Sequence, residues 1–107
     1  MEAFQQESPS VLTQNKIIEA IQTLLKKYHA ESAILFGSYA RKEANPQSDI
    51  DVIIIGGPSF ELTDVFCIAD DLHRATGKEV DVYEISEVEQ ASDFFQVILK
   101  EGVRIAA

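Results

Sequence analysis

The sequence predicts an α/β (α+β) domain, a small mixed β-sheet flanked by helices. Segments with apolar residues at helical spacing alternate along the chain with short, β-branched apolar runs. The most strand-like run, Asp49–Ile55, is apolar on both faces, which predicts a central strand covered on both sides. At 107 residues and 46% hydrophobic, the chain has material for one core, hence one domain over 11–107.

Residues 1–10 are polar, carry Ser8-Pro9-Ser10, and are expected to form a loose leader. From Val11 to Tyr28, Ile17, Ile18, Ile21, Leu24, Leu25 and Tyr28 trace one helical face. Thr13 suits its N-cap, and Lys26 and Lys27 suit the negative end of its dipole. Ala33–Phe36 reads as a buried strand stopped by Gly37. Ser38–Glu43 then resembles the first turns of a short helix, ended by Asn45-Pro46. The central strand closes at Gly56-Gly57-Pro58. Ser59 is placed to cap a second long helix with Leu62, Val65, Phe66, Ala69 and Leu72 on one face, Arg74 in its last turn and Gly77 as its stop. Val80–Tyr83 is the third strand. Val88–Leu99 is helical but less periodic, with Phe94 and Phe95 mostly in the core and at most one ring facing a partner. Gly102–Ile105 closes the chain as an edge strand or an extended tail.

The formal net charge is −9, from 18 acids against 9 bases, the wrong balance for direct binding to bulk nucleic acid. It is compatible with a nucleotide held through divalent cations, with a basic protein partner, or simply with solubility. No unbroken apolar stretch, Val52–Ile55 included, is long enough to cross a membrane, and the first residues do not read as a secretory signal. Cys67 is the only cysteine, so the chain makes no internal disulfide and a reducing compartment, by default the cytoplasm, is expected.

The chemistry is concentrated between Gly37 and Asp81. Asp49 and Asp51, spaced i, i+2 in a strand, point to the same side and can converge on metal ions. Acids at a solvent-exposed strand end would look the same. Asp81 alternates away from Val80 and Val82, and if its strand lies beside Asp49 and Asp51 the three carboxylates cluster. Such a donor set suits Mg²⁺ or Mn²⁺. Gly37 lets a ligand approach the backbone, and Ser38 adds a hydroxyl and the free N–H groups of a helix start. Together they offer a phosphate cradle, with the Arg41 cation one turn on.

Gly37-Ser38, ten intervening residues and Asp49-Ile50-Asp51 resemble the signature of the minimal nucleotidyltransferases of the DNA polymerase β-like superfamily. The contexts Tyr39-Ala40-Arg41 and Ser48–Val52 fit it, and Asp81 falls where the family places its third carboxylate. The resemblance implies a polymerase β-like palm fold. It implies that Gly37 and Ser38 hold the triphosphate of ATP, with Arg41 as a further phosphate contact, and that Asp49, Asp51 and Asp81 bind two Mg²⁺ ions. Asp81 would also help activate an acceptor hydroxyl. Many relatives have glycine after the arginine where this chain has Lys42, which bears on loop shape or phosphate contacts. Family members of this size resemble antitoxins that add AMP to a tyrosine of a helical HEPN-domain partner. The alternative is a binding module that neutralises such a partner by contact without catalysis. Self-association stays open, with no residue pointing to it.

The remaining polar and reactive residues read as structural. His29 and His73 lack neighbours at ligand spacing, and Cys67 lies among apolar residues and is expected in the core; Tyr39 and Tyr83 lie near the proposed site, where contact with a nucleotide base is the alternative to the packing expected of them. Glu79 and Glu84 at strand ends, and Asp70 and Asp71 on a helix, are expected to be solvated.

Overall fold

A computed structural model describes residues 12–107; the leader expected over 1–10 lies outside the described residues. The elements are α1 (Gln14–Lys27), β1 (Ser32–Phe36), β2 (Ile50–Ile55), α2 (Asp64–Thr76), β3 (Val80–Glu84), α3 (Asp93–Glu101) and β4 (Val103–Ala106). The four strands form one sheet in the order β3-β2-β1-β4. β1 pairs antiparallel with both β2 and β4, whereas β2 and β3 run parallel, a pairing that the α2 crossover makes possible. The chain's end is thus an edge strand.

Register sorts side chains between the two faces. Ala33, Leu35, Ile50, Val52, Ile54 and Ile105 face α1 and α2, where they meet Ile17, Ile21, Leu24, Leu25, Val65, Ile68 and Leu72. Ile34, Phe36 and Ile53 face the other way and are covered by Phe95 and Ile98 of α3. β2 is therefore central and sandwiched, as its two-faced apolar pattern predicts. α1 starts where the sequence places its cap, with Thr13 Oγ1 accepting from Lys16 N at 3.2 Å.

Several expectations need correction. Ser38–Glu43 is not the beginning of a helix but a single turn, in which Arg41 N donates to Gly37 O at 3.2 Å and Glu43 N to Ser38 O at 2.9 Å. Lys42 closes it with a left-handed backbone, φ 59°. This is the position where the resemblance implies glycine, and the left-handed dihedral is one that glycine adopts without strain. Ser59 does not cap α2: the helix starts at Asp64, and Thr63 precedes it without a side-chain cap bond. Val65, Ile68 and Leu72 form the buried face of α2, while Leu62 and Phe66 are 61% and 74% exposed. Cys67 is exposed as well, on the side turned from the core. Asp71 is not free in solvent but accepts from Tyr28 Oη at 2.6 Å and Lys27 Nζ at 2.9 Å, tying α1 to α2. Gly77, at φ 73°, ends α2 as expected.

A side chain in the left-handed region costs roughly 1–2 kcal/mol, and glycine's extra freedom when unfolded offsets about half of the relief. Lys42→Gly should therefore stabilise the protein by about 0.5–1 kcal/mol in urea unfolding, with Lys42→Ala close to unchanged.

Candidate active site

The carboxylates meet through strand register. Asp51 and Asp81 are directly opposed across the parallel β2–β3 ladder, and Asp51 faces Phe36 across the antiparallel β1–β2 ladder. Asp49 lies one residue before β2, exposed, with Asp51 half-buried and Asp81 exposed beside it. All this happens on the sheet face that α3 covers only in part. Its nine residues shield Ile34, Phe36 and Ile53 and leave the acids open.

The Gly37–Lys42 turn lies against Asp51. Gly37 has φ 77°, and a Cβ there would overlap an oxygen of the Asp51 carboxylate. The position thus excludes side chains twice over, by dihedral and by contact. The N–H groups of Ser38, Tyr39 and Ala40 take no backbone carbonyl among the described residues, so the turn retains donors without a helix behind it. The Arg41 guanidinium pairs with Glu43 at 3.0 Å and Glu101 at 3.6 Å, at the solvent side of the turn.

Electrostatics records the crowding. Burial, then the charge and hydrogen bonding of Asp81, then the charge of Asp49, push the Asp51 carboxyl from 3.8 up to about 6, with Arg41 pulling the other way. Among the described residues no three His, Cys, Asp or Glu side chains are gathered tightly enough to hold a metal ion as they stand. The donor set nevertheless fits one. It consists of hard carboxylate oxygens that repel one another, and a divalent cation between them would remove that repulsion.

Three supporting residues were not legible in the sequence. Gln14 Nε2 donates to the carbonyls of Tyr39 and Ala40 at 3.0 and 3.2 Å, anchoring the turn to the start of α1. Buried Lys78 donates to Pro46 O at 3.0 Å and steadies the loop entering Asp49. Glu84, expected in solvent, is only 6% exposed and accepts from Gly56 N at 3.2 Å and Ser86 N at 2.8 Å. Burial works to raise its carboxyl, but the bonds from Ser86, Gly56 and Ile85 outweigh it and hold it below the ordinary value. No motif announces these contacts, since each joins residues far apart in the chain or a side chain to a backbone atom. Tyr39 packs in the core as expected, while Tyr83 remains half exposed.

The family model for polymerase beta nucleotidyltransferases matches residues 19–107. A chain of Methanocaldococcus jannaschii named "Putative protein adenylyltransferase" is 36% identical over 74 residues, 69% of this chain and 80% of its own length. Among solved structures, a chain from a toxin–antitoxin complex with AMP-PNP superposes with a TM-score of 0.66 at 23% identity, covering 87% of this chain and 72% of that one. A chain from the complex of a tri-AMPylated Shewanella oneidensis HEPN toxin with an MNT antitoxin gives 0.63 at 20% identity, covering 85% and 70%. At these identities the two structures speak for the fold alone.

Two outcomes test the geometry. Because the folded Asp51 carboxyl titrates near 6 and the unfolded one near 3.8, its contribution to stability is complete below pH 4 and is lost as pH rises through 6. Half-exposure screens the effect, so Asp51→Asn should stabilise the metal-free protein at pH 7.5 by about 1 kcal/mol, and by nothing at pH 4. Thermal melts across that range measure it. Gly37→Ala should cost about 2 kcal/mol or more in urea unfolding, through strain and displacement of Asp51.

Proposed function

This chain belongs to the polymerase β nucleotidyltransferase family, and we propose that it moves AMP from ATP onto a hydroxyl, a tyrosine of a helical HEPN-type partner, and acts as its antitoxin. The observation that carries this reading is the register that sets Asp51 beside Asp81 and against the Gly37 turn. The relative named as an adenylyltransferase and the fold shared with toxin–antitoxin chains support it.

In this reading the Ser38 hydroxyl and the free N–H groups of the turn donate to the triphosphate, and Gly37 leaves room for it. Arg41 exchanges its surface pairs with Glu43 and Glu101 for a phosphate oxygen. Asp49, Asp51 and Asp81 would hold two Mg²⁺ ions, and Mn²⁺ suits the same donors. Bound there, the ions supply charge neutralisation at the phosphates and a lowered pKa for the acceptor hydroxyl. Asp81, the most open acid on β3, faces the side from which an acceptor can approach and takes its proton. The acceptor oxygen attacks the α-phosphorus in line as the bond to the bridging oxygen breaks, and pyrophosphate leaves. Catalysis is then chiefly positioning and charge.

Mass spectrometry of a HEPN-type partner after incubation with this protein, ATP and Mg²⁺ tests the proposal. The expected result is a gain of one or more AMP units on tyrosine that is absent with Asp49→Asn/Asp51→Asn. An unchanged mass, with co-elution and silencing of the partner by both forms, would replace transfer with neutralisation by contact.

A further inference from the structure

Tyr83 follows Asp81 by two residues on β3 and so points to the same side of the sheet. Phe94 enters from the start of α3, and buried Phe36 joins the two rings, its centroid 6.5 Å from Tyr83 and 5.9 Å from Phe94. Tyr83 is 42% and Phe94 57% exposed, although Phe95 and Ile98 already cover the sheet. A cleft of about 350 Å³ opens between them, walled also by Glu87, Val88, Glu89 and Ser92. Its charged lining among the described residues is thus two carboxylates and no cation. Each is held by its own backbone turn: Glu87 Oε1 accepts from Glu84 N at 2.8 Å, and Glu89 Oε1 from Ala91 N at 3.2 Å. Among the described residues neither is paired with a cation.

We propose that this cleft seats the protein segment that carries the acceptor hydroxyl, and that Glu87 and Glu89 select a segment with an arginine a few residues from it. The proposal rests on the nucleotidyl-transfer reading and specifies which acceptor that site takes. In-line displacement sets the direction. The leaving pyrophosphate stays on the Gly37 turn at the end of β1, so the attacking oxygen enters from the opposite side, where Asp81 on β3 takes its proton. A chain delivering that oxygen runs on over Tyr83, roughly 7 Å along the strand from Asp81, a distance that an extended segment spans in about two residues. Its next side chain lies in the cleft. Aromatic faces attract a guanidinium and carboxylates pair with it in a fork, so arginine satisfies both parts of the wall. The net charge of −9 draws a basic segment in, whereas a nucleotide, itself anionic, gains nothing from two carboxylates.

The probes are two synthetic peptides alike but for Arg or Gln three residues to either side of a single tyrosine. Initial rates of AMP transfer from ATP and Mg²⁺ should give the Arg peptide a kcat/KM about fivefold higher with the wild-type protein. Glu87→Gln/Glu89→Gln should bring the two peptides to parity and leave AMP-PNP affinity, read by calorimetry with Mg²⁺, unchanged. Glutamine keeps an oxygen for each backbone N–H, so this variant should keep the wild-type thermal midpoint within a few degrees. Tyr83→Ala should raise KM for both peptides, again with AMP-PNP affinity intact. Equal rates on the two peptides with wild type, or a preference that survives the double variant, overturns the proposal. So does weaker AMP-PNP binding by Tyr83→Ala with peptide KM unmoved, which would assign the cleft to the nucleotide. If neither peptide gains AMP but a HEPN-type partner does, the cleft falls and the transfer reading stands. If peptides and partner alike gain none, both fall.

Discussion

Asp51 sits between the Gly37 turn and Asp81 because β2 is paired on both sides in one register. A shift of that strand by one residue would turn Asp51 into the α1–α2 core and expose Ile50 and Val52. The apolar core thus does more than stabilise the sheet. By burying Ile50, Val52 and Ile54 on one face and Ile53 on the other, it holds in place a carboxylate that its neighbours repel. The geometry of the acids is set by the burial of the residues alternating with them.

Around this register the supports act on backbone rather than on the acids. Gln14 holds two carbonyls of the turn, Lys78 holds the carbonyl of Pro46, and Glu84 holds the N–H of Gly56 at the far end of β2. Each fixes a loop where β2 or its neighbour begins or ends. Such bonds satisfy polar groups near the core while leaving the carboxylates free to meet a ligand. The short α3 completes the arrangement by covering one half of its sheet face and not the other.

What the sequence made legible was what repeats or alternates. β2 showed itself through its β-branched run, α1 through its spacing and cap, and Asp81 through its place between two valines. The glycine-serine turn and the Asp-x-Asp pair were legible together because their spacing is local. What stayed hidden depended on tertiary placement. Leu62 and Phe66 match the helical period, yet α2 begins later and rotates them outward. Cys67 has apolar neighbours in sequence but points away from the buried face that Val65, Ile68 and Leu72 form. Glu84 and Asp71 looked solvated because their partners, Gly56 and Tyr28, come from other elements. The turn at Ser38 mimicked a helix start because the sequence does not reveal the left-handed backbone at Lys42.

The crowding of Asp51 also bears on how such a chain can change over generations. In the metal-free fold the acids oppose one another, so replacements that abolish the cluster relax the domain rather than weaken it. Selection for folding alone would then favour their loss, and only continued selection for the chemistry would keep them. A descendant released from that demand would drift downhill toward an inert scaffold with the same sheet and the same surface. On the proposed reading, the full set of carboxylates in this fold is a record of sustained use.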